Sequence, residues 1–94
     1  MNRSDTIDDM PRVGEVVIWH DPRGLAHNAL VTAVWGKTCI NLVVVSKDSS
    51  RNDDYGRQIE RHTSQTHGST HKVHGLYWRY EDEEPNQYIP PVEK

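Results

Sequence analysis

Four histidines crowd into one stretch of the chain: His62, His67, His71 and His74, spaced five, four and three apart. Neighbouring imidazoles can hold zinc, and the His71-x-x-His74 spacing would bring two ligands together. The chain has one cysteine, however, and no carboxylate between Arg61 and Tyr80, so the donor set is incomplete and no metal is expected. A second chemistry uses His62 and His67 as a general base and acid. One would activate water or a ribose hydroxyl and the other would protonate the leaving oxygen, as in a metal-independent phosphodiesterase. The third chemistry is binding without cleavage. Arg57, Arg61 and Lys72 can hold phosphates, arginine best because its donors form a fork. His62, Ser64, Thr66 and His67 add neutral donors, and Tyr77, Trp78 and Tyr80 follow as candidates to stack a base. Strand alternation separates Tyr77 and Arg79 from Trp78 and Tyr80, so only one set can face a ligand. The competing structural roles are solvated arginines and aromatics that fill the core. The leading expectation is an anion site of Arg57, Arg61, His62, Ser64 and His67 bordered by Tyr77, Trp78 and Tyr80. It needs no cofactor, and His62 and His67 are catalytic only in the alternative.

These residues must be positioned by strands. The most apolar stretch runs from Ala29 to Ser46, where two β-rich runs flank Gly36-Lys37 as in a β-hairpin. Ile40, Leu42 and Val44 alternate with Cys39, Asn41, Val43 and Val45, so the first three should form a buried face. Val13 to Trp19 reads as a first strand, and His20 to His27 as a loop marked by Asp-Pro and Gly, with His20 and His27 as hydrogen-bonding surface residues. Trp19 should close one end of the core, and Trp35 at the hairpin turn should be exposed. Lys47 to Asp54 is polar and should be a solvent-exposed loop. Tyr55 to His62 can form a strand, Thr63 to Gly75 a long loop, and Leu76 to Tyr80 the last strand. Five strands of this kind predict an all-β fold: a small, partly open barrel over residues 13–82. Residues 1–12 should form a flexible amino-terminal arm and 83–94 an acidic, proline-containing tail. The Glu81-Asp82-Glu83-Glu84 run should be solvated, and the Pro90-Pro91 region extended.

Ninety-four residues allow one domain, and an apolar fraction of 34% without phenylalanine, with mean hydropathy -0.84, leaves a small core. Roughly 70 foldable residues lie near the size where one core is marginal, so self-association into a homo-oligomer is expected. Cys39 cannot form an internal disulfide and should be a buried, inert thiol. No stretch resembles a signal peptide or a membrane span, so the expected setting is cytoplasmic, away from membranes. The net charge of -3 is uneven. Residues 47–79 carry a net charge of +2 and four of the six histidines, whereas residues 80–94 carry -4. The middle can attract a small anion, but the chain lacks the basic excess of a duplex-binding protein.

The order "VGEVVIW", "HNALVTAVWG", "CINLVVVS", "HTSQTH" and "YWRY" resembles a family of small, mostly uncharacterised phage and prophage proteins. The match covers about residues 13 to 82. It departs at Arg79-Tyr80, where the family has His-Trp, and in the additional residues Gly68 to His74. The resemblance implies a Src-homology-3-like barrel and a phage origin, hence the host cell cytoplasm. In that setting a small oligomeric protein that captures an anionic, nucleotide-like ligand would sequester a host immune second messenger. His62-Thr63-Ser64 and His67-Gly68-Ser69 are also similar to the repeated element of two-histidine phosphoesterases, which implies cleavage of such a signal instead. A third alternative is a protein-interaction adaptor, since barrels of this type bind extended segments through exposed aromatics.

Overall fold

The computed structural model describes residues 10–71 and 73–86. The elements in order are β1 (Val16–His20), β2 (Ala26–Val34), β3 (Cys39–Val45), β4 (Asn52–Asp53), β5 (Gly56–Arg57), β6 (Ile59–His67), α1 (Gly68–His71) and β7 (Tyr77–Arg79). Five strands form one barrel in the order β1-β2-β3-β6-β7. The fold is therefore all-β, as the strand pattern predicts. The barrel is closed rather than partly open: β7 pairs antiparallel with β1 and parallel with β6, through Thr66↔Tyr77 and His67↔Trp78. No helix among the described residues is long and apolar enough to cross a membrane.

The central hairpin is β2–β3, turning at Trp35 to Thr38, where the Trp35 and Gly36 amides donate to the Cys39 carbonyl. Ile40, Leu42 and Val44 point inward, at most 3% exposed, and pack with Val17, Trp19, Ala29, Val31 and Trp78. Trp19 is buried and Trp35 exposed, as expected, whereas the Cys39 thiol is only half-buried. Val13 lies outside the first strand and is exposed.

The polar parts differ most from expectation. The 47–54 segment is exposed but not simply a loop, since β4 and β5 form a two-stranded ribbon turning at Asp54-Tyr55. Tyr55 belongs to that turn and is fully exposed, and the barrel strand begins at Ile59. It continues through Thr63 to His67, which the sequence suggested to be loop. The reason lies in pairing: β6 pairs with β3 along most of its length and with β7 at Thr66 and His67, which holds its backbone as a strand whatever its side chains.

A bulge in β6 sets the site geometry. Ile40 pairs with Gln65 but Leu42 pairs with His62, so β6 carries one extra residue there. Ser64 adopts φ 56°, and its freed amide donates to the Asn41 Oδ1 at 2.8 Å. The extra residue reverses the alternation. Glu60 and His62 are the more buried residues before the bulge, and Gln65 and His67 are half-buried after it.

The first loop is also tighter than its composition suggests. His20 and His27 are 5% and 8% exposed, because both lie in paired strands where His20 opposes Ala26 and His27 opposes Trp19. At the other end, Glu81, Asp82 and Glu84 are exposed, but Glu83 and Asn86 fold back onto the barrel. Lys72 and the Pro90-Pro91 segment lie outside the described residues.

Candidate functional site

Three polar centres stand out among the described residues once the apolar core is set aside. The first surrounds Trp19. Its indole donates to Gln65 Oε1 at 2.8 Å, and its ring stacks on His62 with centroids 4.2 Å apart and lies tilted against His27 at 5.3 Å. His27 Nε2 faces Asp21 Oδ2 at 2.8 Å. Burial opposes ionisation of Asp21, but hydrogen bonds from His27 and from the Leu25 and Arg23 amides together hold its carboxyl below the usual range. His27 Nδ1 and His62 Nε2 are buried without a hydrogen bond, the latter 3.5 Å from Glu60 Oε1.

The second is an open cleft of about 420 Å³ beside His27, lined by Asn28, Ser46, Lys47 and Arg57 among others. Arg57 Nη1 donates to the Ser46 carbonyl at 2.8 Å, which pins the guanidinium across the end of β3. No carboxylate lines the cleft. The acidic groups around its wall are each engaged: Asp21 faces His27 at 2.8 Å, Glu60 pairs with Arg51 at 3.0 Å and accepts from the Ser46 hydroxyl, and Asp48 accepts from Ser50. The Ser46 hydroxyl is the main influence that keeps Glu60 below the usual carboxylate range, against burial and with help from Arg51. Lys47 and Arg57 are the two cationic side chains in the cleft wall itself.

The third lies at the opposite end of β6. His67 Nε2 faces Glu83 Oε1 at 2.7 Å, and His67 Nδ1 faces Ser69 Oγ at 2.8 Å. Arg79 Nη1 donates to the Glu83 carbonyl at 2.6 Å, and Arg79 Nε donates to His20 Nε2 at 3.1 Å. His20 stacks on Tyr77 at 4.5 Å and gives its Nδ1 hydrogen to the Gly24 carbonyl. Accepting the Arg79 hydrogen at Nε2 requires a neutral ring, and burial, assisted by Arg79, holds the His20 pKa below its ordinary value.

The expected site residues thus separate. Arg57 lies in the positive cleft, while Arg61 projects from the outer face of β6 beside Val43. Ser64 is exposed at the bulge, its hydroxyl against Thr63 Oγ1. His62 and His67 are five residues apart on one strand, and with one residue taken up by the bulge they lie about 13 Å apart along it at 3.3 Å per residue. One stacks on Trp19, and the other packs against Trp78 and Tyr80. Tyr77 and Trp78 are 1% and 0% exposed and offer no open face for a base, and Tyr80 is half-buried on Trp78. The Trp78 indole donates to the Thr38 carbonyl, and the Tyr77 hydroxyl accepts from the Asn86 amide. His74 Nε2 sits 3.0 Å from the Arg23 carbonyl. No three metal-binding side chains gather among the described residues.

Lys47, Ser46 and His27 had no local signal marking them as partners of Arg57; long-range pairing of β3 with β6 and β2 with β3 assembles them. Glu83 and His67 likewise lie sixteen positions apart. Comparisons with protein-family models, curated proteins and solved structures find no match for this chain.

Proposed function

We propose that this barrel is a binding protein for a small anionic, nucleotide-like ligand held over the Lys47–Arg57 cleft. The observation that carries the reading is a cleft of about 420 Å³ with two cations and no carboxylate in its wall. That volume falls within the usual range for small-ligand sites. The guanidinium, the ammonium and the Asn28 amide supply donors suited to phosphate oxygens, and the His27 ring supplies an aromatic edge. The ligand is captured intact. Two-histidine hydrolysis requires both imidazoles on one phosphoryl group, and His62 and His67 sit too far apart along β6 for that.

The resemblance to small phage proteins supplies a setting in which such capture is useful, namely sequestration of a nucleotide second messenger of host immunity in the host cytoplasm. Self-association belongs to the same reading. Val16, Leu30 and Val43 stand in register across β1, β2 and β3, with Val45 and Ile59 beside them, forming an apolar stripe on the outer barrel face that is exposed except at half-buried Val43. A second copy covering this stripe would extend the small core. The test is native mass spectrometry of protein purified from infected cells, followed by heat release of small molecules. An intact phosphorylated ligand supports capture. A ligand-free protein that also fails to bind added adenosine diphosphate and cyclic dinucleotides refutes it.

A further inference from the structure

The contacts of His67 fix its tautomer. The Ser69 amide donates to Nδ1 at 3.1 Å, so that nitrogen must present a lone pair. The ring hydrogen then resides on Nε2 and is donated to Glu83 Oε1 at 2.7 Å. With Nδ1 an acceptor, the Ser69 hydroxyl at 2.8 Å can only be a donor to it. Ser69 Oγ–H, the imidazole and a carboxylate therefore stand in the order nucleophile, base and orienting acid. Helix capping accounts for the amide contact alone. It requires neither the hydroxyl on the same lone pair nor a carboxylate on the far nitrogen.

Glu83 is held in place by more than the histidine. Its Oε1 accepts the Tyr80 amide at 2.8 Å, and its carbonyl is tied to Arg79. His67 is walled by the edges of Trp78 and Tyr80. Ser69 is exposed and borders a pocket of about 290 Å³ shared with His67, Arg79, Glu83, Glu84 and Asn86. We infer that Ser69 is a nucleophile activated by His67, with Glu83 as its positioning residue, in a second site that accepts small uncharged carboxylic esters.

The wall decides the substrate class. Two carboxylates and one guanidinium, itself engaged with His20 and the Glu83 carbonyl, disfavour a phosphodiester anion and admit a neutral ester. In the first step Ser69 Oγ attacks the carbonyl carbon while its proton passes to His67 Nδ1. Collapse of the tetrahedral adduct breaks the bond to the alcohol oxygen, which leaves with that proton, and Ser69 is acylated. Water then repeats the sequence, releasing the carboxylic acid and restoring Ser69. Glu83 stabilises the imidazolium in both steps. Asn86 spends its amide hydrogens on the Gly68 and Val73 carbonyls and is not available to an oxyanion. Rate enhancement therefore rests on the base, about 10²–10⁴-fold.

The full chain is treated with a fluorophosphonate probe, and the modified residue is located by peptide mass spectrometry. Exposed Ser49 and Ser50 in the same chain are internal controls. Ser69 should be labelled about 100-fold faster or more than either, and urea should abolish the difference. His67→Gln should remove the preference in protein whose circular dichroism is unchanged, and Glu83→Gln should reduce it. p-Nitrophenyl acetate should acylate Ser69, and bis(p-nitrophenyl) phosphate should not be turned over. Equal labelling of the three serines in the folded wild type overturns the inference, whatever the variants do. Turnover of the phosphodiester overturns the substrate class. Neither result bears on ligand capture at Arg57.

Discussion

Replacing Arg57 by alanine separates the positive cleft from every other basic position in the chain. Arg57 Nη1 is committed to the Ser46 carbonyl, which leaves the rest of the fork to face a ligand in the cleft. A charge-assisted hydrogen bond contributes about 1.5–3 kcal/mol. The residue is exposed, so the lower half of that range applies, corresponding to a roughly 10- to 50-fold rise in Kd. Lys47→Ala removes a point charge; at about 4 Å in water this is about 1 kcal/mol, or roughly fivefold. Arg57→Lys should recover part of the loss, because the charge returns without the fork. Arg61→Ala is the control: Arg61 does not line the cleft, and its loss should change Kd less than Arg57→Ala does. Isothermal titration with adenosine diphosphate at low salt reads these values. Repeating it at 0.15 M salt, where screening acts over about 8 Å, should weaken wild-type binding. Equal losses for Arg57→Ala and Arg61→Ala would refute the cleft assignment.

Leu42 is fully buried among Val17, Val31 and Trp78, so Leu42→Ala should cost about 2–5 kcal/mol in urea unfolding; a loss under about 0.5 kcal/mol contradicts its inward placement. Stability should fall on acidification in two stages followed by circular dichroism. The His20 pKa is lowered from 6.5, so the unfolded chain takes that proton more readily and stability declines as pH drops below about 6.5. Asp21 and Glu60 are lowered from 3.8 and 4.5, so their contributions are full above those values and are lost as pH falls through the folded ones. His20→Gln should flatten the first stage; an unchanged slope between pH 7 and 5 argues against a neutral His20 in the fold. Leu30→Glu should convert an oligomer to a monomer in light scattering while leaving the fold intact, and a wild type that is already monomeric removes the role given to the outer stripe. Ser49→Ala and Ser50→Ala should each shift stability by less than about 0.5 kcal/mol, since both residues are exposed.

Local alternation by itself determined the central hairpin. Ile40, Leu42 and Val44 had to share a face with period two, and their apolarity had to bury it, so the all-β class and this central part of the core followed without tertiary information. The β6 strand could not be read that way. Its inward residues include Glu60, His62 and Gln65, and it is held as a strand by backbone pairing to β3 and β7. The bulge at Ser64 is equally non-local: it places Gln65 and His67 inward although strict alternation from His62 would turn them out. Tyr77, Trp78 and Tyr80 carried strand propensity in the sequence, but barrel closure made Tyr77 and Trp78 interior, which removed them as a stacking surface. Composition placed the positive charge in residues 47–79 and identified Arg57. Which residues join it was decided by the register between β2, β3 and β6, which sets Lys47 and His27 beside it and leaves Arg61 beside Val43, outside the cleft wall. The contact of Glu83 with His67 spans sixteen positions and depends on Arg79 drawing the 80–83 turn back to the barrel. Short-range periodicity carries the information for strands and buried faces, but the polar centres are products of pairing register and chain return, which only the folded chain sums.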